Sequence, residues 1–186
     1  ITPTFLICLI SFTIGICLSI IVDKFFPSSF NKKSLYKLGI ITMIGIMIHN
    51  IPEGIATFIT TNENIKLGIS MTIAITMHNI PEGISISLPI YYSGHSKCKA
   101  LLYSIISGGG EVIGALLGIL MFRFVNINFL MFGLLMITSG IMIYLSLFKL
   151  LLEGMNSGDD NYFISGLLIG LIIVLISGVF GKIVRF

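Results

Sequence analysis

The strongest constraint on this chain is the succession of apolar runs long enough to cross a bilayer. A spanning helix needs ~20 mostly apolar residues. Six stretches of the 186-residue sequence meet that requirement, at roughly 4–22, 38–60, 67–90, 99–122, 129–152 and 161–184. Only 10% of the residues are charged and 55% are hydrophobic, against roughly 25% charged in an ordinary soluble domain. Such a composition cannot coat a surface with polar groups, so the solvent for the fold is lipid. The expected fold class is therefore all-α, a polytopic transmembrane helical bundle of six spans. The connections are short and polar. The longest, Asp23 to Lys37, contains Pro27, Ser28, Ser29 and Asn31. None can separate two domains, so residues 1–186 read as one transmembrane domain.

Alternating helices sort the basic residues into two sets. Lys24, Lys32, Lys33, Lys37, Lys97, Lys99 and Lys149 fall on one side, and Lys66, Arg123, Lys182 and Arg185 on the other. An excess of Lys and Arg marks the cytoplasmic side, which places the 23–37 loop in the cytoplasm. Ile1-Thr2-Pro3-Thr4 leads straight into an apolar run, with no initiating Met and no signal-peptide pattern. The simplest expectation is a chain whose start has been lost. Cys8, Cys17 and Cys98 form no close pair and read as small apolar residues rather than a disulfide framework or thiolate site.

An internal repeat carries the chemistry. His49-Asn50-Ile51-Pro52-Glu53-Gly54-Ile55 recurs as His78-Asn79-Ile80-Pro81-Glu82-Gly83-Ile84, one span later. Three of the eight acidic residues (Glu53, Glu82, Glu111) and two of the three histidines (His49, His78) lie well inside spans. A charged residue at mid-helix costs ~3 kcal/mol on the insertion scale. No Lys or Arg lies nearby in sequence within the spans to offset the carboxylates, so a bound divalent cation is the economical counter-charge. Residues three and four apart share a helix face. His49, Asn50 and Glu53 thus form one stripe of imidazole, amide and carboxylate, and His78, Asn79 and Glu82 form a second. Glu111 on the next helix can close the site from a third direction. Nitrogen and oxygen donors without thiolate suit zinc, Fe(II), Mn or Co and argue against Cu(I).

Pro52 and Pro81 each remove an amide donor and free a carbonyl one turn earlier, at Ile48 and Met77. A kink with spare acceptors is expected there. Gly110, Gly114 and Gly118 recur every fourth residue beside Ser107-Gly108-Gly109-Gly110-Glu111. That ridge is suited to tight helix packing, and alternatively offers a smooth face along which the helix could slide. His95 reads as a solvated loop residue, or else a transient ligand at the inner mouth. Met131, Met136 and Met142 read as packing residues, while Met43, Met47, Met71 and Met77 could bring a thioether near the site.

These residues resemble the ZIP (Zrt-/Irt-like) family of divalent metal transporters. The match is most specific at His49–Phe58, His78–Gly83 and Ser107–Ala115. The resemblance implies eight helices in the family, of which this chain matches the third to the eighth and lacks the first two. It also implies a binuclear centre. His49, Glu53, His78 and Glu82 would hold one ion. Asn50, Glu53, Asn79, Glu82 and Glu111 would hold the second, with the two glutamates bridging. The implied function is uptake of Zn2+ first, with Fe2+, Mn2+, Co2+ and Cd2+ as further substrates, through an elevator-like shift of the metal-bearing helices. The implied setting is the cell (plasma) membrane, with metal ions and the lipid bilayer as partners, no nucleic acid, and a homodimer compatible with it. Two departures from the family pattern stand out: Asn79 is neutral where some relatives carry Asp, and Phe148-Lys149 stands where an acidic pair is frequent. An intramembrane metal-dependent enzyme is the alternative, but the zinc-protease pattern His-Glu-x-x-His is absent. The di-iron order Glu-x-x-His is the reverse of the order here. A purely structural bundle is disfavoured by the cost of three buried carboxylates.

Overall fold

The computed structural model describes residues 3–25, 32–121, 127–156 and 158–184, with side chains described for 5–25, 35–121, 132–156 and 158–176. Pro27, Ser28, Ser29 and Asn31 lie outside the described residues, as do the side chains of Lys32, Lys33, Arg123, Met131, Lys182 and Arg185. Helices account for almost all of the rest: α1 (Pro3–Phe25), α2 (Lys32–Glu63), α3 (Ile65–Tyr92), α4 (Lys97–Met121), α5 (Ile127–Leu145), α6 (Leu151–Met155) and α7 (Asp160–Val184). A π-helical turn, Ser146–Leu150, joins α5 to α6, its Leu151 N–H reaching back to the Ser146 carbonyl.

The six expected spans are all helical, but α2 and α3 are longer than the apolar runs that mark them. Hydropathy registers only the part of a helix that lipid covers. Lys37 and Asn62-Glu63 continue α2 beyond it because a helix still satisfies its own backbone in water. Among the described residues, four helical stretches are both long and apolar enough to cross a bilayer: Phe5–Phe25, Leu35–Glu63, Lys97–Met121 and Phe132–Met155. With 28 residues, α3 has the length, about 42 Å at 1.5 Å per residue, but polar groups interrupt its middle. The apolar part of α7 among described residues is the shorter Asp160–Ile176. Asn64 alone links α2 to α3, and its side chain accepts from the Lys66 and Leu67 amides at 3.0 and 3.3 Å, which starts the new helix at once.

The burial pattern is that of a protein dissolved in lipid. Along α4 the buried residues are Ala100, Ser107, Gly110, Gly114 and Gly118, whereas Leu101, Ile105, Val112, Leu116 and Leu120 face outward. Small and polar side chains point to the protein, and large apolar ones to the solvent. Without a hydrophobic drive between helices, such close packing is what holds them together.

That packing defines two helix groups. The first contains α2, α3 and α4, and the second pairs α1 with α5. In the first, a Cβ on Gly114 would sit 1.9 Å from the Ile51 carbonyl oxygen, and one on Gly110 2.4 Å from that of Met47. Gly54 on α2 likewise abuts the Glu111 carbonyl. The Gly110/Gly114 ridge is therefore a packing ridge, with backbone set against backbone. Pro52 and Pro81 interrupt neither helix; α2 and α3 run through them as single elements.

Asp23, at the end of α1, ties the two groups at one end. It accepts from the Tyr144 hydroxyl at 3.0 Å, pairs with Lys149 of the π-helical turn at 2.6 Å, and lies 3.9 Å from Lys37 of α2. At the same end His95 is stacked on Tyr36, with ring centroids 4.4 Å apart, and its Nδ1 lies 2.9 Å from the Ser93 hydroxyl. His95 is thus a half-buried packing residue rather than a solvated loop histidine, because the connection between α3 and α4 folds back onto α2.

The close approach makes a prediction. Gly114→Ala forces α2 and α4 apart, and overpacking of this kind costs about 1–3 kcal/mol. The variant should show a lower thermal midpoint in detergent, while Gly108→Ala, where a Cβ meets nothing within 4 Å, should not.

Candidate metal centre

The two motif stripes meet where α2 and α3 pack against each other. His49 and Asn50 are buried in α2, and Glu82 is buried in α3. Four atoms converge. His49 Nε2 is 3.2 Å from Glu53 Oε1 and 3.6 Å from Glu82 Oε1. His78 Nε2 is 3.0 Å from Glu82 Oε1 and 4.0 Å from Glu53 Oε1. His49, His78 and Glu82 each offer a ligand atom within 4.8 Å of the others. Zinc bonds of about 2.0–2.1 Å in a tetrahedron separate neighbouring ligand atoms by about 3.3 Å. The observed nitrogen–oxygen separations bracket that spacing.

The polar atoms of this cluster approach without aligning as hydrogen bonds. Both ring nitrogens of His49, Oε2 of Glu53 and both carboxylate oxygens of Glu82 are buried with no hydrogen-bond partner. Buried polar atoms are nearly always satisfied, and two of these orphans, His49 Nε2 and Glu82 Oε1, belong to the four converging atoms, an arrangement that suits a cation between them.

The remaining motif residues turn toward α4. The Asn50 side-chain amide donates to the Ser107 carbonyl at 3.3 Å, and that of Asn79 donates to Glu111 Oε1. In both asparagines the amide nitrogen is engaged, while Oδ1 is buried without a partner. The structure thus places the seven residues in two adjoining sets: His49, Glu53, His78 and Glu82 between α2 and α3, and Asn50, Asn79 and Glu111 along the α4 side.

A cavity of about 540 Å³ reaches this cluster. His78 and Glu82 line it together with Thr42, Ser85, Met142 and Ser146, and α7 contributes Gly170, Ile173 and Val174. Since α2 and α5 run in opposite directions here, Thr42, Ser85 and Ser146 all lie toward the end that holds Asp23. Of the methionines, Met77 and Met142 are on the wall, whereas Met71 accepts from the Thr60 hydroxyl at 3.4 Å. Met142 packs against the core as its apolar side chain implies and also borders the cavity. Thr42, Ser85 and Ser146 carry no motif, and only the assembled bundle makes them neighbours of the site. Ser104 and Ser107, by contrast, precede Glu111 by seven and four residues on one face of α4, a spacing that would have singled them out.

A bundle in a lipid environment, with imidazole and carboxylate ligands converging at mid-helix, belongs to the class of multi-pass membrane proteins that handle metal ions. The chain belongs to the ZIP zinc transporter family, whose description matches residues 28–178. It is 37% identical over 200 residues to a protein of Clostridium perfringens (strain 13 / Type A) named Zinc transporter ZupT, an overlap of 92% of this chain and 70% of that one. A protein of the same name from Streptococcus mutans serotype c is 38% identical over 88% of this chain and 67% of its own. One from Campylobacter jejuni is 43% identical over 83% and 54% respectively. No solved structure matches the chain.

The two histidines differ in access. The His49 side chain is 8% exposed and that of His78 48%. In a background with Cys8, Cys17 and Cys98 replaced by Ser, His78→Cys should react with a small water-soluble thiol reagent several-fold faster than His49→Cys. Equal rates would contradict the cavity described above.

Proposed function

We propose that this chain carries Zn2+ across the plasma membrane into the cytoplasm, with Fe2+, Mn2+, Co2+ and Cd2+ as weaker or alternative substrates. The observation that supports it most is the convergence of four His and Glu side chains, from two apolar helices, on a point that no lysine or arginine among the described residues reaches. The relatives named as zinc transporters support the choice of zinc. The loop 23–37 is assigned to the cytoplasm from the excess of lysines at that end.

The ion is cargo, not a resident cofactor. His49, Glu53, His78 and Glu82 hold the first ion. Glu53 and Glu82 also face the second, which Asn50, Asn79 and Glu111 complete. Two buried amide oxygens without partners favour that second position, because a carbonyl-type oxygen accepts a cation without a proton having to leave. Neutral Asn79 makes the second position less negative than an aspartate would, so it should bind more weakly than the first. The cavity beside His78 and Glu82 supplies the way out, along hydroxyls that can replace water molecules around a partly stripped ion.

Release is possible because none of the donors is a thiolate. Imidazole and carboxylate ligands exchange the ion for protons: binding needs neutral imidazole and ionised carboxylate, so protons compete with metal for the same atoms. An intramembrane enzyme would need a substrate site and a general base directed at it, and nothing here favours one.

Two outcomes follow. Glu53→Ala and Glu82→Ala should each abolish uptake of radioactive zinc by sealed vesicles, since each carboxylate serves both ions; wild-type uptake by either correctly inserted variant would sink the two-ion centre. A free imidazole titrates at about 6.5 and a free glutamate at about 4.3. Zinc affinity measured by calorimetry should therefore be full above neutrality and fall steeply below about pH 6, with more than one proton released per ion. Affinity that stays level from pH 8 to pH 5 would mean these side chains are not the ligands.

A further inference from the structure

We infer that Ser104 is a positioning residue for the metal centre: its hydroxyl holds α3 at the height and rotation that present His78, Asn79 and Glu82 to α2. The inference rests on the metal-carrying reading above for its functional consequence, but not for its structural part.

The argument starts from how differently the two motif helices are attached to α4. The α2–α4 contact is set by backbone. Gly54, Gly110 and Gly114 each lie so close to a facing carbonyl that a Cβ would come within 2.4 Å of it. No polar contact is needed to fix that pair. The α3–α4 contact has no such interlock at the level of the site. A Cβ built on Gly83 finds nothing nearer than the Ser104 Cβ at 3.9 Å, and Gly108 and Gly109 have nothing within 4 Å. Space on this side leaves α3 free to rotate or slide unless something else holds it.

Two polar contacts do so. The Ser104 hydroxyl donates to the Gly83 carbonyl at 2.9 Å, and Asn79 donates to Glu111. The second is made by two proposed ligands. When Glu111 turns its carboxylate to an ion, that hydrogen bond must lengthen or break. The Ser104–Gly83 contact involves no ligand and persists in both conditions.

Its place on α3 gives it leverage. Gly83 directly follows Glu82 and lies two residues after Pro81, which removes one intrahelical hydrogen bond from this turn. The inner half of α3 is held by Ile86 and Ile90 in the core with Ile41, Ala100 and Ile141. Its outer half, from Ile65 through Met77, is largely exposed or half-buried. The ligand turn thus sits, at a proline, between an inner half anchored in the core and an outer half held to α2 at Gly68 and Met71, and Ser104 is what ties that turn to α4 without using a ligand. Ser104 also bonds weakly to its own helix at the Ala100 carbonyl, 3.4 Å away. The shorter contact, to Gly83, is the dominant one.

The test uses Ser104→Ala, Ser104→Val and Ser104→Thr in the full chain. Hydrogen exchange of the metal-free protein reads the structural part. Amides of residues 78–84 should exchange faster in Ser104→Ala and Ser104→Val, with α2 and α4 unchanged and Ser104→Thr restoring protection. Calorimetric zinc titration and vesicle uptake read the functional part. A net hydrogen bond of about 0.5–1.5 kcal/mol corresponds to a rise in zinc Kd of roughly two- to tenfold, with KM rising alongside and kcat little changed. Ser104→Thr should restore both. Wild-type exchange on α3 in Ser104→Ala overturns the positioning role. Faster exchange with unchanged zinc affinity overturns its link to the site. A wild-type chain that binds no zinc overturns the metal-centre reading, and the exchange experiment still decides whether Ser104 tethers α3.

Discussion

Carboxylates in the interior of a bundle whose solvent is lipid need positive charge near them, and how that need is met organises this molecule. Glu53 and Glu82 sit at the contact of α2 and α3, with Glu111 alongside on α4. Each ionised group at such a depth costs ~3 kcal/mol unless compensated. The chain provides imidazoles, amides and orphaned oxygens around them, but no lysine or arginine among the described residues. Protons on the histidines and a divalent ion are then the two ways of offsetting the charge, and they exclude each other because both use the same nitrogen and oxygen lone pairs. Exchange of metal for protons thus follows for any divalent ion held by these lone pairs.

Much of this was legible in the sequence because it is periodic or local. Apolar runs of about 20 residues mark helices wherever lipid is the solvent, and the spacing of His49, Asn50 and Glu53 puts them on one face without reference to anything else. The repeat at His78 signalled that the two stripes face each other, and the structure does bring four of their side chains together. What the sequence hid depends on contacts between distant segments. Asp23 and Lys149 are more than a hundred residues apart and share no motif. Thr42, Ser85 and Ser146 become one wall only after four helices have packed. His95 looked like a solvated loop residue because nothing local reveals that Tyr36 stacks on it. Ser107 was visible as part of a small-residue ridge, but that its backbone carbonyl receives the Asn50 amide follows only from the closeness that Gly110 permits.

The glycine contacts explain why α4 matters although it contributes only one proposed ligand. Its ridge brings its backbone against that of α2, so Glu111 keeps a fixed offset from His49, Asn50 and Glu53. In the other group, Gly15 and Gly140 set α1 against α5 in the same manner, a Cβ at either coming within 2.2 Å of a facing carbonyl oxygen. Between the groups the contact is different in kind. Ile41 and Ile46 meet Ile141 and Leu145 through side chains, which can repack at far lower cost than backbones in contact. Rigid pairs joined by a side-chain interface deform more cheaply at the interface than within the pairs, and the seven residues of the candidate centre all lie on one side of it.

Charge is treated in opposite ways at the two levels of this interface. At the end of α1, Asp23 has its own cations, with Lys149 at 2.6 Å and Lys37 at 3.9 Å, and a tyrosine hydroxyl besides. At mid-helix the glutamates have none among the described residues. The difference is one of cost: a lysine near a helix end can reach headgroups and water, whereas a lysine at mid-bilayer would itself need a partner. A carboxylate already neutralised by ammonium groups is a poor competitor for a divalent ion. Lys149, which departs from the family pattern, thus supplies Asp23 with its nearest cation, while the mid-helix glutamates are left with imidazoles and an amide as their described neighbours.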